Sequence, residues 1–338
     1  MKNTDESCRH IVSIYRVNPG AMVMELRQLR YFTEIVDAGS VTRASQSLHV
    51  AQPALSLQIS RLEDELGKKL LMRSVRGVTP TQAGAAVYKQ AQLILKQVEA
   101  TQMIAHQSDD GPAGAVTVGL PWTVTSVLGL KLLQEIRTQC PAVRLEVVEG
   151  PSSVLASLLS QGKLDLAMLF DNRTDAGLRM KPLVVEPLML VGARGKLNNL
   201  GVNTLAEVAT LPLLLLSRPN GIREAIEQQW VAQGVKPQVV AEINAPALLI
   251  EAVRAGLGFA VLPSCAMEGN LRRGELDAVE LENGTLTRTA YLCTSRLFEL
   301  SLATEYVHDV VARLTRQTVE DGGWKGRWIP AELDDTAA

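Results

Sequence analysis

One stretch constrains this chain more than any other: GSVTRASQSLHVAQPALSLQISRLEDELG, which runs through Ser40 to Leu66. It predicts two short helices joined by a tight bend. In the second helix Leu55, Ile59, Leu62 and Leu66 recur at steps of four, three and four, so they line one side. The opposite side carries Pro53, Ser56, Leu57 and Ser60, which are small, mostly uncharged and close to the helix N-terminus. Such a face suits close approach to something narrow, and a DNA major groove is wide enough to admit a helix.

The flanking sequence completes a small domain. A first helix is predicted from Met24 to Ala38, with Leu26, Leu29, Phe32 and Val36 as its apolar stripe and Gly39 as its stop. Ser40 is placed to cap the next helix, which turns Val41, Ala44 and Leu48 inward. His49, Val50 and Ala51 form the bend, and Pro53 sits in the first turn of the third helix, where its missing N–H costs little. Lys68 to Pro80 then reads as a two-stranded wing with Gly77 at its tip and Leu70 and Leu71 packed beneath the helices. Glu63, Asp64 and Glu65 mark the far end of the third helix, and Arg61, Lys68, Lys69, Arg73 and Arg76 lead toward the wing. Cations beside a neutral reading surface are what phosphate contact requires.

Thr81 caps a long predicted helix from Gln82 to Gln107, striped by Val87, Ala91, Ile94 and Val98. A dimer seam is the preferred partner for that stripe; the alternative is packing on its own domain. Ser108 to Pro112 reads as a hinge. Beyond it the pattern alternates between strand and helix. Strands are predicted at Ala115–Leu120, Arg144–Glu149 and Leu164–Phe170, with helices at Thr123–Gln139 and Ser153–Gln161 between them. This order implies a mainly parallel sheet covered by helices. A strand at Pro187–Val191 leads to a second unit with strands at Leu213–Ser217, Gln238–Ile243 and Gly258–Leu262. Helices at Gly221–Gln233, Pro246–Ala255 and Ser264–Arg272 alternate with them. Thr287–Thr294 returns to the first unit and Ser301–Arg316 closes the fold as a helix, leaving a mobile tail from about Thr318.

Several function classes fall away. The 338 residues are 46% hydrophobic and 21% charged, with a net charge of -2, so the chain is no general polyanion binder. No apolar run reaches the length of a membrane helix. Residues 1–23 lack a continuous apolar core and do not make a secretory signal. The four histidines are too scattered for a zinc site, the cysteines form no CxxC pair, and no metal or cofactor is expected. GxSxG, Walker and GxGxxG motifs are missing, which argues against an enzyme.

The chain resembles a LysR-type transcriptional regulator. The resemblance rests on LRYF at Leu29–Phe32, GSVTRAS at Gly39–Ser45, AQPALS at Ala51–Ser56 and LEDELG at Leu62–Gly67. It continues with LLMR at Leu70–Arg73 and TPTQAG at Thr79–Gly84, all six in order at matching spacing. LLSQGKLDLAMLF (Leu158–Phe170) and VRAGLGFAVLP (Val253–Pro263) resemble effector domains of the family more loosely. LHVAQPALS with RGVTPTQAG looks most like the nitrogen-assimilation-control branch.

The resemblance implies an α/β chain with a winged helix-turn-helix, a long linker helix and a two-lobed effector domain built like a periplasmic binding protein. On the numbering here these are 24–81, 82–110 and 114–317, after an extension at 1–23 and before a flexible tail at 318–338. Lobe I is about 114–190 plus 287–317, and lobe II about 191–286. It further implies promoter DNA, a small-molecule effector, RNA polymerase and further copies of the chain as partners, in a cytoplasmic dimer or tetramer. Carried across by position, Ala51, Gln52, Pro53 and Ser56 face the major groove, with Gln58 near a phosphate; the alternative for Gln52 is a cap alone. Leu57 departs from the family's polar or basic habit and would meet a thymine methyl. Thr42 and Arg43 would touch backbone phosphate, and Arg73 and Arg76 phosphate or a narrow minor groove.

The expected effector site gathers at carboxyl ends of strands, the ligand side of such sheets. It comprises Pro121, Trp122, Thr123, Val124, Ser152, Ser153, Asp171 (with Asn172), Ser217, Arg218 and Asn244. The serines are equally explained by capping and Arg218 by a surface charge, while Trp122 could stack on a ligand or fill the pocket itself. The competing reading of the whole chain is a solute-binding protein of transport, which would have no use for the first 110 residues.

Overall fold

The computed structural model describes residues 24–74, 77–105, 111–170, 177–198, 200–281 and 286–330. It divides into two units, one ending at Val98 and one beginning at Glu99. In the first, α1 (Leu26–Ala38), α2 (Val41–Ser47) and α3 (Gln52–Leu66) precede a hairpin of β1 (Leu71–Ser74) and β2 (Gly77–Pro80), and α4 (Gln82–Ala105) follows. Gly39 ends α1 in the left-handed region at φ 59°, where a residue without Cβ is at ease. Ser40 Oγ accepts from the Arg43 N–H and caps α2. Leu29, Phe32 and Ile35 of α1 close over Leu55, Ile59 and Leu62 of α3, with Leu70 beneath.

Four expectations for this unit change. Leu66 is 39% exposed, and Glu63, expected at the solvated end of α3, is buried in its place. Leu26 is likewise exposed and Ile35 takes its share of the core. Gly77 opens β2 opposite Ser74, so it stands at the foot of the hairpin tip and not on it. The α4 stripe serves its own domain first: Ala91 is buried in the helix-turn-helix core, and Val87 and Ile94 pack against it. Only Val98 of the predicted seam lies outside that cluster.

The second unit begins with β3 (Gly114–Leu120), α5 (Trp122–Val124), a π turn at Thr125–Gly129 and α6 (Leu130–Gln139). Then come β4 (Val143–Glu149), α7 (Ser152–Ser160), β5 (Leu166–Leu169) and β6 (Leu178–Ala193). Next are α8 (Leu205–Val208), β7 (Leu213–Leu216), α9 (Gly221–Ala232), β8 (Val239–Ile243), α10 (Pro246–Arg254) and β9 (Ala260–Pro263). A turn at Ser264–Ala266 leads to α11 (Glu268–Arg272), β10 (Leu276–Glu280), β11 (Thr287–Ser295), α12 (Leu302–Glu320) and β12 (Arg327–Trp328).

The sheet is mixed where a mainly parallel one was expected. β4, β3 and β5 are parallel, as their helical crossovers require, but β11 adds antiparallel to β5, and β6 antiparallel to β11. β6 is the long element: Leu183 and Val184 belong to the lobe I core, and Leu188, Leu190 and Val191 to the lobe II core. The chain therefore crosses between lobes at 185–187, a few residues before the expected boundary at 190. In lobe II, β7 pairs parallel with β8, while β9 and β10 flank β6 antiparallel. The predicted flexible tail is folded through Pro330: α12 runs on to Glu320, Trp324 is fully buried, and β12 pairs with β6.

Candidate nucleic-acid interface and interlobe site

The predicted reading face exists as a surface. Ala51, Gln52, Pro53 and Leu57 are exposed, with Leu57 at 53%, and Ser56 and Gln58 are half-buried at the edges of the face. Ala51 occupies the cap position of α3 and Gln52 is the first helical residue, so Gln52 is free of the capping duty considered for it. Its Oε1 accepts from the Thr42 hydroxyl at 3.5 Å, which ties the start of α2 to the start of the reading helix. The Arg43 guanidinium is partly committed: Nη2 donates to the Ala38 carbonyl at the C-terminus of α1. Arg73 stands exposed on β1, and Arg76 lies outside the described residues.

Glu63 is the residue that sequence reasoning misplaced. Its Oε1 accepts from the backbone N–H groups of Leu70 (2.9 Å) and Leu71 (3.2 Å), and its Oε2 from Lys69 Nζ (2.6 Å). One carboxylate thus fastens the base of the wing to the end of α3. Burial works to raise its pKa, but the Lys69 ammonium and the two N–H donors outweigh that and hold it below the ordinary carboxylate range. Because the folded value is depressed, the stabilisation is present above the unfolded pKa of about 4.3 and fades as pH falls through the folded value. Glu63→Gln, which cannot accept the same charge-assisted bonds, is expected to lower stability of this unit by about 1–3 kcal/mol near neutral pH. Urea unfolding at pH 7 and pH 3 tests it, since the difference between wild type and variant should shrink at the lower pH.

The effector candidates fall into two groups. In lobe I, Pro121 caps the helix that starts at Trp122; Thr123 and Val124 are buried. Ser152 is not a cap: its Oγ accepts from the Phe170 N–H at 3.0 Å and joins the start of α7 to the end of β5. Ser153 is exposed, while Asp171 and Asn172 lie outside the described residues. In lobe II, Ser217, Arg218 and Asn244 cluster at the carboxyl ends of the parallel strands β7 and β8, with the Ser217 N–H donating to the Ile243 carbonyl. Arg218 already has a partner in Glu227, through Nε at 3.0 Å and Nη2 at 2.7 Å. Glu227 also holds the buried Arg223, and although burial works to raise its pKa, these two arginines pull it below the usual range. Trp122, from the first group, is half-buried and packs on the lobe II core.

A network that sequence reasoning missed ends on Thr123. Glu186, fully buried on β6, accepts from Arg288 Nε of the adjoining β11 at 2.6 Å and from Trp324 Nε1 at 2.5 Å. Cys265 Sγ, in the turn after β9, is 3.2 Å from the same carboxylate. Arg288 Nη2 donates to Thr123 Oγ1 at 3.1 Å, and its guanidinium carbon lies 3.5 Å from the centre of the Phe170 ring. Ser264, beside Cys265, is buried with no partner found for its hydroxyl. Burial and the Glu186 charge push the Cys265 thiol well up, and burial pushes Cys293 up to about 12. Both stay protonated, which removes the thiolate that redox chemistry uses.

Residues 26–85 match the bacterial regulatory helix-turn-helix protein, lysR family, and residues 109–316 match the LysR substrate binding domain. The nitrogen assimilation regulatory protein nac of Klebsiella aerogenes is 37% identical over 244 residues, 72% of this chain and 79% of that protein. The HTH-type transcriptional regulator BbuR of Bordetella bronchiseptica is 29% identical over 88% of this chain and 92% of its own length. Among solved structures, a full-length OxyR variant from Pseudomonas aeruginosa aligns with a TM-score of 0.69 at 24% identity, covering 87% of this chain and 95% of that one. Full-length CbnR complexed with its target DNA aligns at 0.58 and 21% identity, over 86% of this chain and 100% of that one. These likenesses share the fold described above, and the two matched families account for both of its units. The chain belongs to the LysR family of transcriptional regulators, with a DNA-binding helix-turn-helix and an effector-binding domain.

Proposed function

We propose that this regulator reads promoter DNA with Ala51, Gln52, Pro53, Ser56 and Leu57. In this reading Thr42, Arg43, Gln58, Arg73 and Arg76 hold the phosphate backbone. The observation that carries it is the exposed, uncharged start of α3 beside a wing that Glu63 fastens to the same helix. Gln pairs bidentately with adenine, and Leu57 offers an apolar contact to a thymine methyl. Selection of binding sites from random DNA, run beside mobility shifts across a salt series, separates the roles. Gln52→Ala is expected to relax preference at one position per half-site, at a cost of about 1–3 kcal/mol, with Leu57→Gln altering a neighbouring position. Arg73→Ala should weaken all sequences alike and flatten the salt slope by about 1. An unchanged site profile for both helix variants would remove them from the reading face.

The proposed biological setting is nitrogen, amino-acid or aromatic metabolism in the cytoplasm. It is supported by the likeness to the nitrogen assimilation regulatory protein nac. The working unit is proposed as a dimer or tetramer of this chain that recruits RNA polymerase, not an enzyme. The proposed effector is a small molecule with an anionic group, bound between the lobes around Pro121–Val124, Ser152 and Ser153, with Asp171, Ser217 and Asn244 bordering the same site. Arg218, tied to Glu227, contributes less than its sequence position promised. The packing of Trp122 on the lobe II core favours a second reading, in which the indole takes the ligand's place and the domain works without an effector. DNA binding and promoter output that no metabolite alters would support the second reading.

A further inference from the structure

The segment after Glu320 lies beyond the matched family region, which stops at residue 316, and nothing in its periodicity gives it a role. In the structure it is a strap across the hinge. Trp324 is buried at the end of α12, its backbone N–H donating to the Thr318 carbonyl and its Nε1 to Glu186. β12 then lies along β6 at Val184 and Val185, and the Ile329 N–H donates to the Leu183 carbonyl at 2.8 Å. A Cβ on Gly326 would sit 2.8 Å from the Val185 carbonyl oxygen, so the strap runs flat against the crossing strand. Lys325 Nζ reaches the other lobe, 2.7 Å from Glu280 on β10.

Two-lobed domains joined by a pair of crossing strands open and close by small φ/ψ changes where the strands cross. Here the crossing strands are β6 and β11, and Glu186 and Arg288 pair directly across them in the ladder. A third segment that touches both lobes at that point limits the motion. It also ends on Glu186, which holds Arg288, which in turn holds the buried Thr123, one of the residues proposed for the effector site. We propose that the C-terminal strap is a third hinge connection, in which Trp324 is a positioning residue that sets the interlobe angle and fixes Arg288 against Thr123. Only its link to Thr123 rests on the effector reading; the hinge role does not.

The test measures the lobes directly, in the full chain and without ligand or DNA. Spin labels are placed through Arg144→Cys in lobe I and Lys236→Cys in lobe II, both exposed, with Cys8→Ser; Cys140, Cys265 and Cys293 are buried. Four chains are compared: unaltered, ended after Glu320, ended after Pro330, and carrying Trp324→Phe. With the labelled chain diluted in excess unlabelled chain, so that distances within one chain are read, the unaltered chain should give one narrow distribution and removal of the strap should broaden it. Ending after Pro330 should change nothing. Trp324→Phe keeps a smaller aromatic ring but loses the donor, and should broaden the distribution as well as lower the melting temperature through the volume lost. An unchanged width in a folded chain ended after Glu320, or a lower melting temperature without broadening, would overturn the hinge role and leave the strap as a cover for the lobe I core. If that chain does not fold, Trp324→Phe decides alone, and an unchanged width overturns the proposal. Because no effector takes part, a hinge that passes beside metabolite titrations that fail would overturn the effector reading only.

Discussion

Gly84→Ala is expected to abolish DNA binding while the effector unit stays folded. Gly84 lies in the first turn of α4, and a Cβ there would stand 1.9 Å from the Leu70 carbonyl oxygen and 2.9 Å from its carbonyl carbon. A carbon and a carbonyl oxygen approach no closer than about 3.3 Å, so one backbone must retreat by more than about 1 Å. Neither is free to do so. The Leu70 carbonyl accepts from the Thr81 N–H at 2.9 Å, the Lys69 carbonyl from the Thr81 hydroxyl at 2.8 Å, and the Leu70 N–H is held by Glu63. Leu70 itself is fully buried under α1 and α3. Forced overpacking against backbone costs at least about 3 kcal/mol, at or beyond the upper end of core insertions. Far-UV circular dichroism and a mobility shift read the loss. All four tryptophans, at 122, 230, 324 and 328, lie in the effector unit, so their fluorescence serves as the folding control. A variant that shifts DNA with native affinity would contradict the close approach.

What the sequence made legible was local. The middles of the helix stripes in the first unit (not their ends, Leu26 and Leu66), the caps at Ser40 and Thr81, and most strands of the second follow from periods and turn residues within a few positions, and they stand where the pattern put them. Non-local partners were what escaped. Glu63 reads as a surface acid because the donors that bury it come from the wing, seven and eight residues on. β6 reads as five residues starting at Pro187 because Pro182 falls within its first part, and a proline argues against a strand. In the structure Pro182 sits at a register shift opposite Tyr291, and Pro187 at the last pair with β11, where the strand passes between lobes. A rule about strand ends proposes the effector candidates, but no local rule pairs Glu186 with Arg288. Glu186 and Arg288 are 102 residues apart in the chain. The tail did carry a signal: Trp324 and Trp328, two of four tryptophans, lie within five residues of each other in a segment read as mobile. Bulky indoles in a solvated tail have no partner for their apolar area, and that mismatch points to a docked segment.

Glu186→Ala should destabilise the effector unit by about 3–5 kcal/mol, the cost of breaking a buried ion pair by removing one partner. The carboxylate is fully buried and the Arg288 side chain is 11% exposed, so water cannot replace what is lost. Without Glu186 the guanidinium keeps, among the described residues, the Thr123 hydroxyl and the face of Phe170, and the buried Trp324 N–H loses its acceptor. A buried unpaired cation is the larger part of that penalty. Removing both charges should therefore cost less than removing one: Glu186→Met with Arg288→Leu is expected to recover most of the stability, giving a strongly non-additive cycle. Tryptophan fluorescence in urea follows the effector unit, and Trp324 itself reports the change at Glu186. If Glu186→Ala lost under about 1 kcal/mol, or the double variant were worse than either single one, the pair would not be the interior charge lock described here. The double variant also separates stability from signalling. It should fold and bind DNA, but with Arg288 gone from Thr123 it should lose any response that the interlobe site passes to the promoter.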